Sequence, residues 1–168
     1  KIEDYGPGGK PISNLGVWLS LIPNSDYGIV KMLLQLHRDF VIADLSNLDD
    51  LDLIVLPSQK TLSISDAERL QKWVSEGGKL IVFEKGAMLM GSEQFGIDLG
   101  AQFISDSAFD FDFTVVKPEL GFEVVSTPFV NYDSGIRTKL TNGNSIAMIR
   151  EPYFNRTYKS YSSHRETP

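Results

Sequence analysis

An α/β fold with a mostly parallel sheet and a β-rich C-terminal half is what this sequence predicts. Three observations carry that expectation. Short apolar runs alternate with helical patterns over residues 16–83, at the spacing of strand–helix–strand units. Asp52–Leu56 is apolar throughout its interior, as suits a parallel strand covered on both faces. After about Leu99 phenylalanines and β-branched residues replace the helix formers.

The elements follow in order. Lys1–Asn14 is rich in Gly, Pro and Lys, lacks periodicity and reads as an arm or linker. Gly16–Leu21 is a run of strand length, broken at Ile22-Pro23. Ser25 or Asp26 can cap a helix reaching about His37, with Ile29, Leu33 and Leu36 on its apolar stripe. Asp39–Asp44 and Asp52–Leu56 are the next strands. Ser65 and Glu68 have capping-box spacing, and Leu70, Trp73 and Val74 form the stripe that follows. Gly77-Gly78 supplies a left-handed stop, and Lys79–Phe83 is a fourth strand. Phe109–Phe113 alternates with period two, as a strand with one wet face. Glu123–Thr127 and the stretch Thr138–Ile149 read as further strands, with Asn142-Gly143-Asn144 as a hairpin turn. Residues 15–150 are expected to form one domain, and 151–168 an aromatic, polar tail leading into a longer polypeptide.

Composition narrows the functions. The 168 residues carry a net charge of −6, which disfavours nucleic acid and anionic membrane surfaces as partners. No apolar run approaches the roughly 18–20 residues that cross a bilayer. The chain has no cysteine, which removes disulfides, thiolate metal sites and a cysteine nucleophile. No cofactor motif is present, and none is expected.

Gly16–Leu89 resembles the class I glutamine amidotransferase-like superfamily, a flavodoxin-like three-layer sandwich. DLIVLP, WVSEGGKLIVF and the bend after it carry the resemblance. Catalytic members place a Gly-x-Cys-x-Gly elbow at that bend, with a histidine and an acid downstream. Here the bend reads Val82-Phe83-Glu84-Lys85-Gly86, without Cys or Ser. The resemblance therefore implies the fold and not the amidotransferase reaction. It is similar to one non-catalytic branch, the β-galactosidase trimerisation domain of family 42 glycoside hydrolases. The tail from Glu151 to Tyr158, followed by Ser163-His164, also resembles segments of bacterial glycosidase-like proteins. What this implies is a non-catalytic domain of a larger, β-galactosidase-like enzyme. Its partners would be other domains of the parent chain, further copies of itself, or carbohydrate. A periplasmic or secreted location is implied if the parent degrades polysaccharide.

Several residues are candidates for chemistry. Glu84 and Lys85 stand where ligands bind in open α/β sheets, and a carboxylate there can exchange protons. The plainer reading is a solvated turn. His37 suits a helix C-terminus, where the dipole favours a cation. His164, near Ser162, Ser163 and Glu166, is the remaining acid–base candidate, although a triad requires convergence in space. Asp106, Asp110 and Asp112 could gather a calcium ion, but they lack EF-hand spacing and read as a wet strand face. No metal site is assigned. Tyr153, Phe154, Asn155, Arg156 and Tyr158 are the ligand or interface candidates, because aromatics stack on sugars and anchor interfaces. A tail folded over its own sheet is the alternative. The competing functions are a ligand-binding module and a small hydrolase using Glu84 or His164.

Overall fold

A computed structural model describes residues 13–121 and 127–155 of the chain. The chain divides into two compact units, 1–98 and 99–168. The first unit holds β1 (Leu15–Val17), α1 (Pro23–Gln35), β2 (Val41–Ile42), β3 (Leu53–Leu56), α2 (Ile64–Ser75) and β4 (Lys79–Val82). Its four strands are all parallel, in the order β2-β1-β3-β4. This is the flavodoxin-like order over four strands. The α/β class and the parallel sheet are as expected.

Register explains the layering. Val17 and Val55 are paired, share one face and pack with Ile29 and Leu33 of α1. Alternation turns Ile54 and Leu56 to the other face. Right-handed crossovers send α1 toward β2 and α2 toward β4, and so place the two helices on opposite faces. Ile54, Val55 and Leu56 are all buried, which is why that stretch of sequence is continuously apolar. Gly16 is required by closeness: a Cβ there would lie 2.6 Å from the Leu51 side chain.

The helix ends differ in detail from the sequence reading. α1 begins at Pro23, whose fixed φ suits a first helical turn. Asp26 does not cap it and instead binds the loop before it. α2 is capped by Ser63, two residues earlier than expected. Ser63 Oγ accepts from the Asp66 amide at 3.1 Å, and the Asp66 carboxylate accepts from the Ser63 amide. Ser63 and Asp66 have the same spacing as Ser65 and Glu68, and the backbone selects the earlier pair because Leu62 is bonded to the segment after β4. The buried stripe of α2 is Ala67, Leu70 and Trp73, with Val74 at its margin.

Both helices stop on a left-handed residue. Gly77 has φ 111°, its amide donates to Val74 O, and the Gly78 amide donates to Trp73 O. A Cβ on Gly78 would strike the Trp73 ring at 2.3 Å, so the second glycine is held by packing. At the end of α1 the same motif is built on His37, with φ 51° and the Arg38 amide donating to Leu33 O. His37 therefore ends the helix through its backbone.

The second unit is antiparallel. β5 (Ala101–Ser105) pairs with β8 (Arg137–Leu140), and β6 (Asp112–Val116) lies between β7 (Phe129–Asn131) and β9 (Ala147–Arg150). A short helical turn, α3 (Pro118–Gly121), follows β6. Asn142-Gly143 does not join β8 to β9 as a hairpin, because these strands pair with different partners. The Gly143 and Thr141 amides donate instead to Gly100 O. The strand expected over 123–127 lies, apart from Thr127, outside the described residues.

Asp112 corrects the sequence reading most. It is not on a wet face; its side chain is fully buried. Oδ1 accepts from Asn131 Nδ2 at 2.9 Å, and Oδ2 accepts from the Gly135 amide at 2.9 Å and Arg137 at 3.4 Å. Arg137 also donates to Ser107 Oγ and to Glu151. This ion network ties β6, β7 and β8 together and reaches the residue after β9. Asp106 and Asp110 remain exposed.

Asp112→Asn turns a donor toward donors in a buried site and should cost about 3 kcal/mol in denaturant unfolding, against under about 0.5 kcal/mol for Asp110→Asn. His37→Gly should add about 1 kcal/mol to stability by removing left-handed strain, measured the same way.

Candidate functional site

In an open parallel sheet, loops leaving neighbouring strands toward opposite faces part at the carboxyl edge. Here that switch lies between β1 and β3, because the chain goes outward to β2 and returns to β3. The β1–α1 loop supplies Trp18, Ser20 and Leu21. The β3–α2 loop supplies Ser58, Gln59 and Lys60.

The β3–α2 loop is bonded across the switch to the first turn of α1 and stacked on the β1–α1 loop. Ser25 Oγ lies 3.1 Å from Ser58 Oγ and accepts from the Gln59 amide at 3.2 Å. Lys60 Nζ sits 4.9 Å from the ring centroid of Trp18, whose side chain is buried. Such a contact fixes the ammonium over the π face. Asp26 organises the other loop: Oδ1 accepts from the Ser20 amide at 2.9 Å and from Ser20 Oγ at 2.7 Å, and Oδ2 from the Leu21 amide at 2.8 Å. These bonds hold Leu21 at φ 65°, a left-handed conformation costly for a leucine.

Burial pulls the Lys60 ammonium below its ordinary 10.5, opposed by the carboxylates of Asp66 and Asp26. A lysine with a depressed folded value binds its proton more weakly than the unfolded chain does. Its destabilising effect is therefore present at low and neutral pH, and is relieved as pH rises toward the unfolded value.

The bend after β4 is strained as well. Glu84 has φ 46° and Ala87 has φ 68°. Gly86 is buried against Pro57, the residue after β3, and a Cβ there would lie 2.7 Å from Pro57 O. A strand ending in a left-handed residue is the geometry of a nucleophile elbow. Here the residue so presented is a carboxylate, exposed to solvent, with Lys85 half-buried beside it. The bend does not continue into a helix; Leu89 returns to bridge Leu62. Glu84 can exchange a proton or accept a hydrogen bond, but it has no nucleophilic hydroxyl or thiol neighbour within the bend.

The other sequence candidates are dispersed. His37 is exposed at the end of α1, on the edge opposite Glu84, since a crossover helix runs antiparallel to its strands. His164, Arg156 and Tyr158 lie outside the described residues. Tyr153 and Phe154 are exposed, while Pro152 between them and Glu151 is buried. Asn155 anchors the start of the tail: its Oδ1 accepts from the Asp110 amide at 2.8 Å, and its Nδ2 donates to Ala108 O at 3.3 Å. Among the described residues, no group of three or more His, Cys, Asp or Glu side chains is arranged to hold a metal. No described helix is long and apolar enough to cross a membrane.

Sequence reasoning passed over Trp18, Ser25, Ser58 and Lys60. The signal was present, since Trp18, Ser58 and Lys60 stand within four residues of a predicted strand end.

No family model and no curated protein matches this sequence. Two solved structures share its fold. The α-L-fucosidase isoenzyme 2 from Paenibacillus thiaminolyticus is similar over 99% of this chain, with a TM-score of 0.84 and 19% identity. The GH42 β-galactosidase Gan42B is similar over 89%, with a TM-score of 0.64 and 12% identity. The chain spans 27% of the length of the first and 25% of the second.

Lys60→Met should flatten the rise in stability that the wild-type chain shows as pH approaches 10.5. Denaturation midpoints measured on both proteins from about pH 8 to 10.5 check this.

Proposed function

We propose that this chain is a non-catalytic domain of a larger glycoside hydrolase, serving subunit assembly or shaping a neighbouring carbohydrate site. The observation that carries the reading is the pair of fold neighbours. Both are named as glycosidases, and in both this fold fills about a quarter of a longer chain. The bend after β4 supports the non-catalytic part. It keeps the strained strand end but presents Glu84 where amidotransferase-like enzymes carry a thiol. On this reading the parallel unit is an amidotransferase-like fold retained as a scaffold. The bonded segments at the switch point agree, because Ser25 is taken up by Ser58 and the Gln59 amide, and Lys60 by the Trp18 ring, where an open crevice would receive a ligand.

A second reading has its own observation. Tyr153 and Phe154 are exposed side by side, which suits a module that contacts sugar through aromatic faces. Titration calorimetry with oligosaccharides separates the two, since Tyr153→Ala would remove binding by such a module.

The 168-residue chain is expected to hydrolyse neither an aryl β-galactoside nor an aryl α-L-fucoside, whereas the longer polypeptide that carries it should turn over a glycoside. Turnover by the isolated chain that Glu84→Gln abolishes would overturn the proposal.

A further inference from the structure

Asn142-Gly143 is the one Asn-Gly pair in the sequence, and it does not turn the hairpin that its composition suggests. The pair is fastened instead to the residue before β5. The Thr141 and Gly143 amides each donate to Gly100 O at 3.0 Å. The two backbones are packed tightly. A Cβ on Gly100 would lie 2.9 Å from Gly143 Cα, and a Cβ on Gly143 would lie 2.9 Å from Gly100 O. Gly100 also has φ 70°, a conformation open to glycine at little cost. This latch adjoins the first rung of the β5–β8 ladder, where Ala101 stands opposite Leu140. Asn142 and Gly143 are both exposed to water.

An asparagine followed by glycine is chemically labile, because glycine has no side chain to shield its backbone nitrogen. The deprotonated nitrogen of Gly143 can attack Cγ of Asn142. A C–N bond forms, the bond from Cγ to Nδ2 breaks, and ammonia leaves with the proton that the amide gave up. Water then opens the five-membered succinimide at either carbonyl, leaving aspartate or isoaspartate at position 142. Water is the only reagent consumed.

The latch opposes the first step. The succinimide nitrogen carries no hydrogen, so ring closure must break the bond from Gly143 to Gly100 O. Reaction therefore starts from an open state in which the pair has left Gly100, and its rate follows the free energy of that opening.

We propose that Asn142 is a self-modification site, a deamidating asparagine gated by the contact between Gly143 and Gly100. The closed latch preserves the asparagine, and opening commits it to an irreversible change. Deamidation adds one negative charge. The isoaspartate product also inserts a carbon into the main chain between the Thr141 and Gly143 amides, which then no longer converge on Gly100 O. The result is a one-way loosening of this end of the β5–β8 ladder.

Peptide mass spectrometry on the 168-residue chain, held at mildly alkaline pH, reads the conversion of Asn142. In the folded chain conversion should be at least about tenfold slower than in guanidinium chloride. Hydrogen exchange of the Gly143 amide should be slowed by the same factor, because both reactions need the same opening. Gly100→Ala sets a methyl group against Gly143 and should speed the folded-state conversion at least about fivefold, with no change in guanidinium chloride. Equal rates in the folded and unfolded chain would overturn the gate, as would a folded Gly100→Ala protein that converts at the wild-type rate. Should Gly100→Ala not fold, the wild-type comparison decides: slow conversion beside a freely exchanging Gly143 amide contradicts the proposal. An unfolded chain that leaves Asn142 intact would overturn the site itself.

Discussion

Neither face of β3 meets water, and its two neighbours are both parallel to it. Ile54, Val55 and Leu56 are buried in succession, each worth about 2 kcal/mol of apolar transfer. A strand in that position cannot sit at an edge, because its outer hydrogen-bonding groups would then lack partners. It must have β1 on one side and β4 on the other. Right-handed crossovers then leave α1 and α2 no choice but opposite faces. The switch point, the parting of the loops and the position of Glu84 all follow from burying this one strand.

The carboxyl edge of the sheet inherits that constraint. Helices antiparallel to the strands begin at the carboxyl edge, so the loops preceding α1 and α2 must meet there. In this chain they meet where Lys60 lies over Trp18, and the loop before α2 is also bonded to the first turn of α1 through Ser25, Ser58 and Gln59. The polar groups nearest the switch are thereby used internally. The edge also exposes Leu21, Ile64 and Met90, together with Gln59 and Glu84. The bend at Glu84 preserves backbone strain without a nucleophile to present.

The sequence disclosed the first unit better than the second, for a physical reason. Doubly covered strands and a Gly-Gly helix stop are written locally: Leu53–Leu56 is apolar at every position, and Gly77 must be left-handed. The α2 cap was mislocated because Ser63–Asp66 and Ser65–Glu68 have equal spacing, and the choice depends on Leu62 bonding to a distant segment. Asp112 could not be recognised as buried, because its partners Asn131, Gly135 and Arg137 come from 19 to 25 residues away. The Asn142-Gly143 turn failed for the same reason. Its local signal was sound, but β8 and β9 found separate partners. Of the site, Glu84 and Lys85 were legible at the strand end; the Trp18–Lys60 pair was not, since it joins two loops about 40 residues apart.

Native-state hydrogen exchange on the first unit tests the central constraint most directly. The amides of Ile54, Val55 and Leu56 should exchange only with complete unfolding of residues 13–98, and Ile54→Ala should lower that free energy by about 3 kcal/mol. Exchange of these amides at a lower free energy than the amides of α1, or an Ile54→Ala protein with undiminished protection, would contradict the account. β3 would then be a peripheral strand, and the carboxyl edge would not be fixed in the way described.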